Sequence, residues 1–220
     1  MKRYIRKYFP GLFPIEKYTT DYNYLEVNKR YGRLVLDSKN VNYSFGALHH
    51  VFQKAFSLTK FDVSSFQRAL ILGFGGGSVA FILQKELGFQ GTITGVEIDE
   101  KVMVLSRKYL GLENLSNLKV EITDAYDFVF HQQHNYDLIV VDLFTDHIIP
   151  EKFDKKDFLY QLNLLLEKGG MLLYNRMNQS YKDKNRIQVF RKAFGDVFKE
   201  AEISEEFKID SKNIIFYVKK

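Results

Sequence analysis

Six consecutive residues, Gly73-Phe74-Gly75-Gly76-Gly77-Ser78, stand between an apolar run and a helical stripe. Glycines let a backbone turn sharply and approach a ligand closely. The first turn of the following helix offers unpaired N–H groups to polar or anionic atoms. Such a loop alone is weak evidence, but a carboxylate strengthens it. Glu97 closes the next apolar run, about twenty residues on, where a strand-end acid can accept hydrogen bonds from both hydroxyls of a ribose. The alternative is a charge at the N-terminus of the next helix, a part that Asp99 and Glu100 could also play. Asp124-Ala125 follows a third run. An acid there accepts from an adenine amino group, caps the helix over 125–131, or does both. The candidate nucleotide-binding residues are therefore Gly73, Gly75, Gly76, Gly77, Glu97, Asp124 and Ala125.

The elements that must position these residues alternate. Short apolar runs at 69–72, 92–96, 118–122, 137–141 and 171–174 read as strands. Between them, apolar residues at helical spacing mark helices, among them Val79, Ile82, Leu83 and Leu87, then Val102, Leu105 and Tyr109, then Phe158, Leu159, Leu162, Leu165 and Leu166. Gly169-Gly170 reads as the close of the last of these. Continuously apolar strands separated by amphipathic helices predict an α/β fold, a parallel sheet covered on both faces. Ligands in such sheets bind at the carboxyl ends of the strands. After a helix carrying Ile187, Phe190 and Phe194, two strand-like runs near 198–203 and 214–218 are joined by the short polar stretch 204–213. That gap is too short for a crossover helix, so the runs are predicted to form an antiparallel pair at the end of the sheet. Upstream, β-rich runs on either side of Asn28-Lys29-Arg30 read as a hairpin, and Phe45, Leu48, Val51, Phe52 and Phe56 as a helix. The expected division is 1–57 as an N-terminal hairpin and helix segment, and 58–220 as the nucleotide-binding domain.

Composition restricts the function further. The chain of 220 residues is 45% apolar and 27% charged, as an ordinary globular protein is. No run approaches the ~20 apolar residues of a membrane-crossing helix, and the basic N-terminus is not followed by a signal-like apolar stretch. With no cysteine, thiolate metal sites, disulfides and a cysteine nucleophile are all excluded. The five histidines form no spaced ligand cluster, so no metal is expected. These features fit a cytoplasmic protein. The net charge of +5 reads mainly as surface lysine, and the absence of an aromatic-interleaved basic motif argues against a nucleic-acid partner.

The loop and acids do not by themselves separate S-adenosylmethionine from a nicotinamide dinucleotide. Two features lean towards the former. Ser78 stands where the dinucleotide fingerprint has its third glycine, and a terminal antiparallel pair is unusual in a dinucleotide domain.

With these segments, and with Tyr136-Asp137-Leu138-Ile139-Val140-Val141-Asp142, the chain resembles the spermidine synthase family and its methyltransferase-fold relatives. The likeness covers about 22–176. It implies a seven-stranded, mostly parallel sheet of the S-adenosylmethionine-dependent methyltransferase type with an antiparallel last strand and a small N-terminal β element. It also implies a homodimer, and S-adenosylmethionine or its decarboxylated form as co-substrate, with Glu97 on the ribose and Asp124 on the adenine. Family members that make polyamines carry two aspartates three residues apart after the fourth strand, followed by proline, and the second deprotonates the attacking amine. Here Asp142 and Asp146 are four apart, and proline comes only at 150. The family's upstream Tyr-His-Glu is represented by His49-His50-Val51.

The expected chemistry is therefore methyl or aminopropyl transfer to an unidentified small acceptor. Alternatives are polyamine synthesis itself and a non-catalytic protein that keeps the fold for ligand binding or assembly. Transfer to an amine needs a proton acceptor. Asp142 and Asp146 are the candidate catalytic pair, since two close carboxylates raise one pKa towards neutrality. The alternatives are a loop-closing hydrogen bond for Asp142 and plain exposure for Asp146. His147 lies beside them, and His49-His50 would reach the cleft lip if their helix packs there. Tyr174-Asn175-Arg176 either lines the acceptor pocket or is solvated at a strand edge.

Overall fold

The computed structural model describes residues 14–30, 32–38, 47–60, 62–144, 149–178 and 181–220. It forms two sheets. The smaller has three antiparallel strands, β1 (Glu16–Thr19), β2 (Tyr24–Arg30) and β3 (Arg33–Ser38), in the order β1-β2-β3. The larger has seven: β4 (Arg68–Leu72), β5 (Thr92–Glu97), β6 (Leu118–Ile122), β7 (Tyr136–Val141), β8 (Leu166–Met177), β9 (Ile203–Lys208) and β10 (Asn213–Lys219). Their order is β6-β5-β4-β7-β8-β10-β9. β4 pairs in parallel with both β5 and β7, and β10 is antiparallel to both its neighbours, β8 and β9. The chain builds outwards from β4 to β6 and then crosses back to β7. The loops after β4 and β7 therefore diverge at the switch point, where α/β sheets open a ligand crevice.

Helices cover both faces. Here α1 is Ala47–Thr59, α2 starts at Ser78–Phe81 and continues as π-helix over Ile82–Glu86, and α3 is Glu100–Tyr109. α4 is Ala125–His131, α5 is Lys156–Leu165 and α6 is Tyr181–Val197. Strand side chains alternate between faces. Ala69, Ile71, Leu138, Val140, Leu173 and Ile215 pack under Val51, Phe52 and Phe56 of α1 and Val79 and Leu83 of α2. Leu70, Leu72, Ile139, Val141, Leu172 and Phe216 pack under Phe158 and Leu162 of α5 and Phe190 and Phe194 of α6. The small sheet packs Leu25, Val27 and Leu36 against Val102 and Leu105 of α3.

The sequence reading holds for the α/β class, the central strands and the terminal antiparallel pair. Four of its details change. Asn28–Arg30 belong to β2 rather than to a turn, and β3 begins at Arg33, so the strands are longer. β8 begins at Leu166 and runs through Gly169-Gly170, which therefore do not close α5 in a turn outside the sheet. β9 is Ile203–Lys208, not 198–203, because Phe198 is buried against Phe194 at the foot of α6. Part of α2 is π-helical, which the apolar stripe does not reveal.

Candidate active site

A cleft of about 410 Å³ opens at the carboxyl ends of β4, β5, β6, β7 and β8, and the β9–β10 turn also reaches it. Gly73, Gly75, Glu97, Asp124, Ala125 and Asp142 all line it. Gly77 does not line it but starts α2, at φ +81°.

Glu97 is 6% exposed and its carboxylate is held at both oxygens. Gly75 N–H donates to Oε2 at 2.9 Å, and Asp99 N–H donates to Oε1 at 3.0 Å. The glycine loop is itself pinned to β5, since the N–H groups of Gly73 and Phe74 both donate to the Val96 carbonyl. Burial pushes the Glu97 carboxyl above its ordinary value, and the amide hydrogen bonds from Asp99 and Gly75 oppose that push. A carboxylate has about four acceptor positions. Two are used here, which leaves one on each oxygen for a pair of hydroxyls.

Asp99 takes the helix-terminus part weighed for Glu97. Its Oδ1 accepts from Lys101 N–H at the start of α3, while Thr20 Oγ1 donates to its Oδ2 at 2.6 Å. That bond draws the loop before β2 to the cleft, where Tyr22 and Asn23 form part of the wall. Sequence reasoning missed this tie, because a threonine 79 residues away leaves no local pattern.

Asp124 caps α4: its Oδ1 accepts from Tyr126 N–H at 2.8 Å, and its Oδ2 is paired with Lys152. Capping is thus realised, and Lys152 joins the wall as a cation that the sequence gave no reason to place there.

Asp142 ends β7. It is 8% exposed, and its Oδ1 accepts from Asn175 Nδ2 at 2.9 Å. Its carboxyl is pushed up to about 7. Burial raises it, and the Asn175 amide pulls it partly back. Asp146 and His147 lie outside the described residues. Of the Tyr174–Arg176 triplet, only Asn175 lines the cleft. None of the three is solvated, because β8 runs on to Met177 between β7 and β10. Tyr174 donates its hydroxyl to Phe153 O on the other face. Arg176, over the face of Phe190, pairs with Asp154, which also takes Arg186. This cluster anchors residues 149–154 to β8 and α6, and so places Pro150, Lys152 and Phe153 in the cleft wall. His49 and His50 turn away from the cleft, to Glu86 and Gln53, while Leu48 and Val51 of the same helix line it.

Residues 52–207 match the spermine/spermidine synthase domain model. The chain belongs to the spermine/spermidine synthase family. It is 30% identical over 135 residues to a polyamine aminopropyltransferase of Vibrio vulnificus, which covers 60% of this chain and 45% of that protein. It is also 30% identical over 164 residues to a probable polyamine aminopropyl transferase of Bifidobacterium longum, covering 70% of this chain and 35% of that protein. The chain thus spans less than half the length of these two relatives. Among solved structures it superposes on a probable spermidine synthase from Corynebacterium glutamicum with a TM-score of 0.75 at 20% identity, covering 94% of this chain and 81% of that one. It superposes on a spermidine synthase in complex with the transition-state analogue AdoDATO with a TM-score of 0.71 at 13% identity, covering 94% and 72%. Human methyltransferase-like protein 13 in complex with SAH gives a TM-score of 0.65 at 20% identity, covering 78% and 82%. These likenesses establish the methyltransferase-type fold of the family.

Proposed function

We propose that this chain is a transferase that binds S-adenosylmethionine or its decarboxylated form and moves an aminopropyl or methyl group from the sulfonium to a small acceptor. The observation that carries the reading is the buried Glu97 carboxylate, whose oxygens are each fixed by one backbone amide and each keep an acceptor position for a ribose hydroxyl. In this reading Gly73, Gly75, Gly76 and Gly77 form the turn that lets the nucleoside approach, Ala125 leaves room for the adenine, and Asp124 faces its amino group. Asp142, at the neighbouring strand end, is the proton acceptor. Asp146 is the further base candidate that the sequence offers. The names of the relatives support the aminopropyl version.

Methyl transfer is kept as a second reading because of the charges in the wall. Among the described lining residues, Glu97 and Asp124 already serve backbone amides and Lys152, and Lys152 and Lys212 add positive charge. An ammonium-bearing chain needs carboxylates to replace its water, and Asp142 is the one left over. The by-product separates the versions. Aminopropyl transfer from the decarboxylated donor leaves methylthioadenosine, whereas methyl transfer from S-adenosylmethionine leaves S-adenosylhomocysteine. Incubation with each donor and a mixed pool of small amines should yield one of the two. Binding without either product would reassign the chain to a ligand-binding role. The same proposal includes a homodimer, which light scattering reads directly.

A further inference from the structure

Lys152 stands in the short turn Glu151–Asp154 and lines the cleft beside Asp124. Its place is fixed from several sides. Asp154 of the same turn is gripped by Arg176 and Arg186, and Arg186 also donates to Ile149 O at 2.7 Å. The ammonium lies 5.1 Å from the Phe153 ring centre and 5.7 Å from that of Tyr126, within range of a cation–π attraction. Its Nζ donates to Asp124 Oδ2, the one acceptor it has among the described residues. An ammonium has three donors, so that bond leaves others to give. The side chain is 38% exposed, and a base in the cleft can reach it. Asp124 is fixed in turn by Tyr126 N–H, which donates to its Oδ1 at 2.8 Å, and a carboxylate keeps further acceptor positions after two bonds. The wall therefore presents an acceptor and a donor side by side. Val96, Ile98, Ala125 and Phe153 line the same cleft with apolar surface, against which an unfilled donor costs more than in water.

We propose that Lys152 reads the base of the adenosyl donor: its free N–H donates to the ring nitrogen, N1 or N7, that flanks the amino group facing Asp124. This rests on the transferase reading above and deepens it by assigning a specificity-determining residue for the base. The adenine amino group is a donor, and an acceptor stands on each side of it, N1 on one and N7 on the other. A carboxylate alone would accept from the amino group and be indifferent to the ring nitrogens. The Asp124–Lys152 pair matches the amino group and one of its neighbours at once. A base with carbon in place of that nitrogen turns a C–H towards the ammonium and leaves its donor unpaired, which a site built to hydrogen-bond rejects. The adenine ring is uncharged, so the discrimination comes from a directed hydrogen bond and not from net attraction.

Calorimetry on the whole protein tests this with methylthioadenosine and its 1-deaza and 7-deaza analogues, each of which replaces one ring nitrogen by C–H and keeps the amino group. No binding of methylthioadenosine overturns the transferase reading, and this proposal with it. Where methylthioadenosine binds, the analogues decide the proposal alone. One of the two should bind the wild type at least about tenfold more weakly, the size of one hydrogen bond from a charged donor. In Lys152→Met that loss should shrink to within about threefold, because no donor is left unpaired, while Lys152→Arg should retain it. A lysine that only props the wall would, on substitution, weaken all three nucleosides equally and leave their ratios unchanged. If Lys152→Met fails to bind methylthioadenosine, Lys152→Ala carries the same comparison. Equal binding of the three nucleosides by the wild type, or a deaza loss that persists undiminished in the variant that retains the nucleoside, overturns the proposal and leaves the transferase reading standing.

Discussion

Replacing Gly73 by alanine tests how closely the glycine loop and the strand end at Asp142 depend on each other. Gly73 has φ +81°, and a methyl group there would stand 2.8 Å from the Asp142 carbonyl carbon and closer still to its oxygen. Carbon atoms ordinarily meet at about 3.5–4.0 Å, so the backbone at Asp142 would have to retreat by roughly 1 Å. Asp142 N–H donates to Leu72 O at 2.8 Å, a bond that this retreat strains. The left-handed backbone costs an alanine about 1–2 kcal/mol, overpacking about 1–3, and a lost hydrogen bond about 1. The sum is about 3–6 kcal/mol, and for a chain of this size each kcal/mol lowers Tm by about 2–4 °C. Differential scanning calorimetry should therefore show a fall of about 6–24 °C. Gly88→Ala is the control. Gly88 has φ +73° with nothing within 4 Å of the added methyl, so only the backbone strain applies, and Tm should fall by about 2–8 °C. Equal shifts for the two variants would refute the argument that Gly73 is reserved for close approach to Asp142.

Three further outcomes follow from the same geometry. Glu97→Gln sets an NH₂ against the N–H of Gly75 or Asp99. It should destabilise the fold by about 1–3 kcal/mol and weaken methylthioadenosine binding at least tenfold, as read by urea unfolding and calorimetry. Asp142 has its folded-state pKa raised to about 7 from 3.8. The protonated form is thus favoured on folding, and this group's contribution to stability is full below about pH 4 and lost as pH rises through 7. In the proposed reaction Asp142 acts ionised, so turnover should rise through pH 7, whereas Asp142→Asn should raise Tm at pH 8 and abolish turnover. Asp154→Ala would strand Arg176, which is 2% exposed, beside Arg186, and should cost about 3 kcal/mol in urea unfolding.

The centre of the sheet was legible in the sequence because β4, β7 and β8 are buried on both faces, and because β4 is followed by Gly73 and β5 ends at Glu97. The same contrast located the cleft floor. What escaped was the contribution of long-range polar pairs. Thr20 reaches Asp99, Lys152 reaches Asp124, and Asp154 gathers Arg176 and Arg186, each across tens of residues with no periodic signal. Asn175 illustrates the limit. Its place at the end of an apolar run allowed either a cleft wall or a solvated edge, and only β10 closing over β8 decides for the buried position. The length of β8 was misjudged for a related reason: Gly169-Gly170 resembles a helix stop, but pairing with the C-terminal residue extends the strand backwards, with Gly169 N–H donating to Lys220 O.

Calorimetric titration of the wild-type protein with S-adenosylmethionine, its decarboxylated form and methylthioadenosine, repeated with Glu97→Ala, tests the central claim most directly. Saturable one-to-one binding of at least one of them is expected, weakened at least tenfold by the substitution. Failure of all three to bind, or binding that Glu97→Ala leaves unchanged, would contradict an adenosyl site between the glycine loop and Glu97.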